Sequence, residues 1–356
     1  MPEWEDMTVK EDPVGFDLMN HDERIDFVRR VFPAIGKYCH QNLQYYLDIW
    51  QIAEDAGLNI VITDYNSPVV FKDEIAKAAR GEYIIDPALL GFDIEEQKQA
   101  FLPLASYQDE LLGIPFESGD SNVFGWLNGM FPIGDAYLYY ALIRDRRPRR
   151  IIEIGSGQST LVALKALNRN QSGRITCVEP YPNQHFNTHL SRMAESNFEL
   201  IAEQLQNIPA DFFQSLQEND ILFVDSSHVV KSQSDLMHLF FKVIPTLAKG
   251  VLIHFHDIFL PYDYPTEFMV RHKRFYTEQY VLAGMLMNNQ NFKTLFSNFY
   301  FAHQAFDFYA QQMRSLLSDI EKSSPPETPI RAYVHGGSLW MTTRDGSENE
   351  RFGNRG

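Results

Sequence analysis

The sequence has few of the features that mark secreted, membrane-spanning and nucleic-acid-binding proteins. Only two of its 356 residues are cysteine, Cys39 and Cys177. This excludes a disulfide scaffold and favours a reducing, cytoplasmic compartment. No apolar run reaches the ~18 residues of a membrane span, and the acidic amino terminus lacks the apolar segment of a signal peptide. We therefore expect a protein with no membrane partner.

Basic residues are also scarce relative to acidic ones. The chain has 31 Lys and Arg against 47 Asp and Glu, a formal net charge of −16. A nucleic-acid partner requires a basic footprint for its phosphates, so we expect none here. The short basic run from Arg144 to Arg150 is interpreted as a solvated helix end whose cations complement the helix dipole.

The stretch from Arg150 to Leu164 has the pattern of a buried strand, a glycine turn and a helix. This pattern opens a doubly wound α/β domain, in which the ligand binds beyond the carboxyl end of the first strand. A dinucleotide fingerprint needs a third glycine where Thr160 stands, so a dinucleotide oxidoreductase is the least favoured interpretation.

Two strand-end acids narrow the choice of ligand. Glu153 comes two residues before the first glycine of the turn, and Glu179 ends the second predicted strand. A carboxylate repels phosphates but attracts a cationic ligand. Glu179 is placed to accept hydrogen bonds from two ribose hydroxyls. The pattern therefore favours an adenosine that carries a positive sulfonium over one that carries pyrophosphate.

Four sequence blocks carry a resemblance to a known family. The segments 153–160 and 178–182 resemble motif I and the following acidic motif of class I S-adenosylmethionine-dependent methyltransferases, and the segments 224–228 and 254–259 resemble downstream blocks. The resemblance covers roughly residues 67–340 and looks closest to a bacterial group associated with sugar and natural-product tailoring.

The resemblance implies a fold, a domain division and a cofactor site. The fold is α/β, a Rossmann-like doubly wound seven-stranded methyltransferase sheet with an antiparallel last strand and an N-terminal, mainly helical extension. We expect the extension over 1–115, the methyltransferase domain over 116–345 and a flexible tail over 346–356. The residues expected to bind S-adenosylmethionine are Glu153, Gly155, Ser156, Gly157, Glu179 and Asp225.

Two histidines are candidates for the catalytic base. Methyl transfer to a hydroxyl requires removal of the acceptor proton, and imidazole can accept a proton near neutral pH. His228, three residues after the strand-end acid Asp225, is the first candidate, and His256 with Asp257, after the fifth strand, is the second. The alternative for His228 is a cap on the following helix.

Asp225 and Asp257 end neighbouring strands in the implied fold, and two interpretations of them stay open. Two convergent carboxylates suit Mg²⁺, which would orient a substrate diol and lower the pKa of a hydroxyl. Alternatively, Asp225 contacts the cofactor side of the pocket and Asp257 caps the loop after its strand.

The favoured function is methyl transfer from S-adenosylmethionine to a hydroxyl of a small or sugar-containing molecule. Two alternatives are a metal-dependent hydroxylase-like enzyme on the same scaffold and a non-catalytic cofactor-binding or assembly protein. The sequence leaves the acceptor and a homo-oligomeric state open.

Overall fold

The computed structural model describes residues 18–62, 66–81, 84–120, 122–193, 197–326 and 334–344. The chain forms two compact units, Met1–Ala76 and Lys77–Gly356. This division comes earlier than the boundary at residue 115 expected from the sequence. The reason is that Phe101, Leu104 and Leu111 pack into the same hydrophobic core as the helix Ile133–Arg146. The expected tail, 346–356, lies outside the described residues.

The smaller unit contains helices α1 (His21–Cys39) and α2 (Leu43–Asp55). Asn20 and Glu23 start α1 with a reciprocal cap: each backbone N–H donates to the other side chain, at 2.9 and 3.1 Å. Pro33 lies inside α1 and does not end it. Helix α3 (Lys72–Ala79) spans the division between the two units.

The larger unit is built on a seven-stranded sheet in the order β3-β2-β1-β4-β5-β7-β6. Strands β1 to β5 pair in parallel, and β7 runs antiparallel to both of its neighbours. The sheet confirms the expected seven-stranded, doubly wound α/β fold with an antiparallel last strand. The strand bounds are β1 Arg150–Ile154, β2 Arg174–Val178, β3 Phe198–Ile201, β4 Ile221–Val224, β5 Leu252–His256, β6 Phe292–Ser297 and β7 Ser338–Thr343.

Helices cover both faces of this sheet. Their bounds are α4 Ile94–Leu104, α5 Ile133–Arg146, α6 Gln158–Asn170, α7 Gln184–Met193, α8 Ala210–Phe213, α9 Asp235–His238, α10 Thr266–Val270, α11 Glu278–Leu286, α12 Asn298–Gln304, α13 Phe306–Gln312 and α14 Arg314–Ser323. Among the described residues, none of the helices is long and apolar enough to cross a membrane.

The inner strands are apolar on both faces because each face is covered. In β1, Ile151 belongs to the core that also contains residues of α5 and α6, and Ile152 belongs to the core on the opposite face. Both side chains are fully buried. Burial of each such side chain contributes about 1.5–3 kcal/mol, so these cores fix the strand ends that carry the polar residues.

The chain that follows β6 is helical. Strand β6 ends at Ser297, and α12 begins at Asn298. The Asn298 side chain donates to the buried carboxylate of Asp135 at 2.7 Å. This long-range bond holds the chain at the sheet edge, where it turns into three short helices.

Candidate functional site

The glycine turn after β1 ties three strand ends together. Gly155 N–H donates to the Val178 carbonyl at 2.9 Å, and Asp225 N–H donates to the Ile154 carbonyl at 3.0 Å. Gly155 has φ +99°, and an added Cβ would lie 2.9 Å from the Asp225 carbonyl oxygen. Only glycine allows this backbone conformation and this close approach, so the turn depends on Gly155.

Thr160 takes a structural role at the position where a dinucleotide fold has its third glycine. Its hydroxyl accepts from the Gly157 N–H at 2.9 Å and donates to Glu153 at 2.8 Å. Ser159 also donates to Glu153 at 2.8 Å. These bonds hold the first turn of α6 against the end of β1.

Glu153 does not have the environment that the sequence argument gave it. Its side chain is fully buried under the turn and does not line the cleft described below. Burial raises the pKa of Glu153 to about 8, although hydrogen bonds from Ser159 and Thr160 oppose the rise. A carboxyl with this pKa is mostly neutral at pH 7. The expected attraction between its negative charge and a cationic ligand is therefore corrected to a role in shaping the turn.

A cleft of about 460 Å³ opens beyond the carboxyl ends of β1, β2 and β4. It contains three of the residues expected to bind the cofactor, Gly155, Glu179 and Asp225. Ser156 and Gly157 continue the turn, and a Cβ added to Gly157 would meet nothing within 4 Å, which marks open space. The volume suits a small-molecule site. Apolar walls come from Ile154, Val178 and Leu205.

Glu179 stands at the end of β2 with one oxygen fixed by the chain. Its Oε1 accepts from the Tyr181 N–H at 2.8 Å, and its own N–H donates to the Ile201 carbonyl at 3.0 Å. The side chain therefore presents a carboxylate to the cleft from a defined position. Carboxylate oxygens accept from vicinal hydroxyls in this way.

His228 lies at the centre of a cluster of carboxylates. Its Nδ1 is 2.8 Å from Glu278 Oε2, and its Nε2 is 3.2 Å from Asp225 Oδ1 and 3.9 Å from Asp257 Oδ2. The Tyr276 ring lies 4.5 Å from the imidazole, centroid to centroid. Burial opposes protonation, but the hydrogen bonds to Asp225 and Glu278 outweigh it and raise the pKa of His228 well above its ordinary 6.5.

The sequence alone did not identify Glu278. It is 50 positions from His228 in the chain and forms the first turn of α11, where an acidic residue is ordinary. It is nevertheless buried, with 1% of its surface exposed, and Ser226 Oγ lies 3.4 Å from its Oε1. No periodicity or motif links the two segments, so only the fold reveals the pair.

The backbone at two site residues is held in an unusual conformation. His228 has φ +59° and Asp257 has φ +54°, the left-handed region that non-glycine residues seldom adopt. The His228 carbonyl accepts from the Thr277 N–H at 2.9 Å, which anchors this conformation. Such strain costs on the order of 1–3 kcal/mol and clusters at functional sites, so it supports a role for both residues.

His256 anchors a loop in this structure. Its Nε2 is 3.2 Å from the Met130 carbonyl oxygen and 3.8 Å from Asp257 Oδ1, while Nδ1 is 3.9 Å from buried Asp135. The imidazole packs 5.4 Å from the Phe131 ring, centroid to centroid. The Nε2 atom of His256 therefore lies against a backbone carbonyl oxygen, whereas both ring nitrogens of His228 lie against carboxylates. Asp257 lies between the two imidazoles.

The expected Mg²⁺ site is not supported. Among the described residues, no group of three or more His, Cys, Asp and Glu is arranged to hold a metal ion. At Asp225 and Asp257, the nearest partner of each carboxylate is a histidine nitrogen: His228 Nε2 lies 3.2 Å from Asp225 Oδ1 and 3.9 Å from Asp257 Oδ2, and His256 Nε2 lies 3.8 Å from Asp257 Oδ1.

We expect Mg²⁺ to have no effect on the stability of the protein. After dialysis against a chelator, millimolar Mg²⁺ should leave the midpoint of thermal unfolding unchanged, because a ligand stabilises only the state that binds it. If Mg²⁺ raises the midpoint of the wild-type protein but not that of Asp225→Asn or Asp257→Asn, the prediction is wrong and these residues bind the metal.

Comparison with known proteins gives one family match. Residues 152–258 match the family model of a methyltransferase domain. The chain is also 36% identical over 143 residues to an uncharacterised protein from Archaeoglobus fulgidus, a match that covers 38% of this chain and 63% of that protein. The chain thus spans less than two thirds of this relative.

Several solved methyltransferase structures are similar in outline. A methyltransferase from Geobacter sulfurreducens has a TM-score of 0.33 at 15% identity, with 68% of this chain and 89% of that chain covered. An O-methyltransferase from Bacillus cereus, solved with S-adenosylhomocysteine, has a TM-score of 0.29 at 14% identity, with 76% and 100% covered. At these scores the domain assignment depends on the family model and the sheet order.

Proposed function

Because residues 152–258 match the family model of a methyltransferase domain, we propose that this chain is a class I S-adenosylmethionine-dependent methyltransferase. We propose further that it methylates a hydroxyl group of a small molecule, with His228 as the proton acceptor. The observation that carries the proposal is that Asp225 belongs both to the cleft and to the cluster of carboxylates around His228. This residue lines the cleft and is also 3.2 Å from His228 Nε2. Donor and acceptor sites therefore share one carboxylate.

The cleft residues fit the cofactor. Bound S-adenosylmethionine supplies an electrophilic methyl group on a sulfonium. Glu179 would accept hydrogen bonds from the ribose, and the apolar side chains of Val178 and Leu205 would contact the adenine. Open space beside Gly157 leaves room for the rest of the molecule. Asp225 contributes negative charge on the side of the cleft nearest His228.

His228 is proposed to hold and move the acceptor proton at Nε2. Glu278 fixes the ring through Nδ1 and stabilises the imidazolium that forms when Nε2 takes the proton, since a carboxylate favours the charged form. Asp257, at 3.9 Å from Nε2, adds to this stabilisation. A positioned base of this kind typically contributes 10²–10⁴-fold to the rate.

The hydroxylase alternative requires a redox metal, and the described residues offer no suitable ligand group. A sugar-containing acceptor remains a prediction. A cytoplasmic location is likewise a prediction from the cysteine usage.

Calorimetry with S-adenosylhomocysteine tests the donor site. We expect binding to the wild-type protein and about 10- to 100-fold weaker binding to Glu179→Ala, because loss of hydrogen bonds to a charged acceptor costs about 1.5–3 kcal/mol. Glu321→Ala, which removes an exposed carboxylate from α14, is the matched control and should bind normally. Binding of NAD in place of S-adenosylhomocysteine would overturn the assignment.

A further inference from the structure

A loop of basic residues lies beside the proposed reaction centre. Residues 271–274 read Arg-His-Lys-Arg, and all four side chains are exposed. We call this segment the basic loop. It connects α10 to α11, the helix whose first residue is Glu278. Four consecutive basic residues stand out in a chain with a net charge of −16.

Two cations of the basic loop have no ion-pair partner among the described residues. Arg271 is paired with Glu267 at 2.6 Å. Lys273 and Arg274 form no ion pair within the described part of the chain, and the Arg274 guanidinium lies 6.0 Å from the centroid of the Phe268 ring. Unpaired cations in an acidic protein create a local positive potential that attracts anions.

The backbone of the basic loop is fixed. The Arg274 N–H donates to the Phe268 carbonyl at 2.8 Å, and the Arg271 N–H donates to the Glu267 carbonyl at 2.9 Å. Lys273 has φ +53°, a conformation in which a non-glycine residue stays only when its surroundings hold it there. The two free cations are therefore presented from a defined backbone.

A continuous aromatic wall joins the basic loop to His228. Phe268 and Tyr276 pack at 5.7 Å, and Tyr276 packs at 4.5 Å from His228, measured between ring centroids. Arg274 is two residues before Tyr276, a separation of at most about 7 Å along the backbone. A molecule of modest size could thus contact the imidazole and the basic loop together.

We propose that the acceptor carries an oxyanionic group, phosphate or carboxylate, that binds Lys273 and Arg274 while its hydroxyl faces His228. This inference rests on the proposed function, since it takes the His228 cluster as the reaction centre. The body of the acceptor lies along Phe268 and Tyr276. Arg and Lys donate charge-assisted hydrogen bonds to such oxyanions, and the field of carboxylates around His228 keeps the anionic end away from the reacting hydroxyl.

Binding of simple anions to the protein saturated with S-adenosylhomocysteine tests the inference. Saturation with this ligand fills the donor cleft, so the cleft does not take up the anion. Inorganic pyrophosphate and malonate are the two probes, and they distinguish a phosphate subsite from a carboxylate subsite. We expect one or both to bind, with about tenfold weaker binding to the double variant K273Q/R274Q and weakening at higher salt.

Matched variants separate the possible results. K165Q/K242Q removes two exposed charges from other helical segments and should bind the probes like wild type. Wild-type midpoints of thermal unfolding should persist in both double variants. If S-adenosylhomocysteine binds but neither anion does, or K273Q/R274Q binds both as tightly as wild type, the subsite is refuted and the proposed function stands. If S-adenosylhomocysteine itself fails to bind, the proposed function fails first.

Discussion

Replacement of His228 by Asn is expected to reduce kcat/KM for methyl transfer by 10²–10⁴-fold, about 3–5 kcal/mol of barrier. The reason is that Nε2 is the nitrogen proposed to take the acceptor proton, and its carboxylate partners stabilise the resulting charge. The measurement is transfer of labelled methyl groups to the acceptor identified by mass spectrometry of extracts. S-Adenosylhomocysteine affinity should change little.

The pH dependence of the wild-type enzyme makes this prediction sharper. A base works only when deprotonated, and the pKa of His228 is raised well above 6.5. The rate should therefore rise with pH along an alkaline limb above pH 6.5. Glu278→Gln removes one of the partners that raise this pKa, so the rise in rate of this variant should occur at lower pH than in wild type. His256→Asn is the comparison variant. If His228→Asn has the wild-type rate across the pH range, His228 is not the catalytic base.

The strand–turn–helix at Gly155 was predictable from sequence because every step of it is local. Buried strands, glycine turns and helix periodicity are properties of short segments. The order of the four sequence blocks along the chain then implied the sheet, and the structure has the expected seven strands with an antiparallel last strand.

The roles of individual carboxylates were less predictable. Glu153 and Glu179 look alike in the sequence, since each stands at the end of an apolar strand. In the structure Glu153 is fully buried and accepts from two hydroxyls, while Glu179 lines the cleft. Whether the side chain at a strand end is buried or exposed to solvent depends on how other elements pack against it. That information is not in the local sequence pattern.

Glu278 and the helices between β6 and β7 show the same limit. Glu278 reaches His228 only because the loop after β4 and the start of α11 meet in space. Asn298 reaches Asp135 across 163 positions of the chain. Neither pairing changes the periodicity of the segments that make it, so neither could be predicted from the local sequence pattern.

The second large effect concerns stability, and it follows from the burial of Glu153. Its pKa is raised to about 8 in the folded state, against 4.5 for the unfolded chain. Between these values the folded state binds more protons than the unfolded state, so the free energy of unfolding falls as pH rises from about 4.5 to 8. Each pH unit in this window costs about 1.4 kcal/mol, for a total on the order of 5 kcal/mol.

Glu153→Gln should remove this dependence and leave the turn intact. The amide oxygen can accept from Ser159 and Thr160 as Glu153 does now, and no charge has to be buried. The free energy of unfolding of the variant and of wild type is measured in urea at pH 6, 7 and 8. We expect the stability of the variant relative to wild type to increase by about 1 kcal/mol or more per pH unit. Glu321→Gln, at an exposed position, should track wild type. Equal pH slopes for Glu153→Gln and wild type would mean that Glu153 is ionised in the folded protein, and a direct charge role toward the cofactor would then be open again.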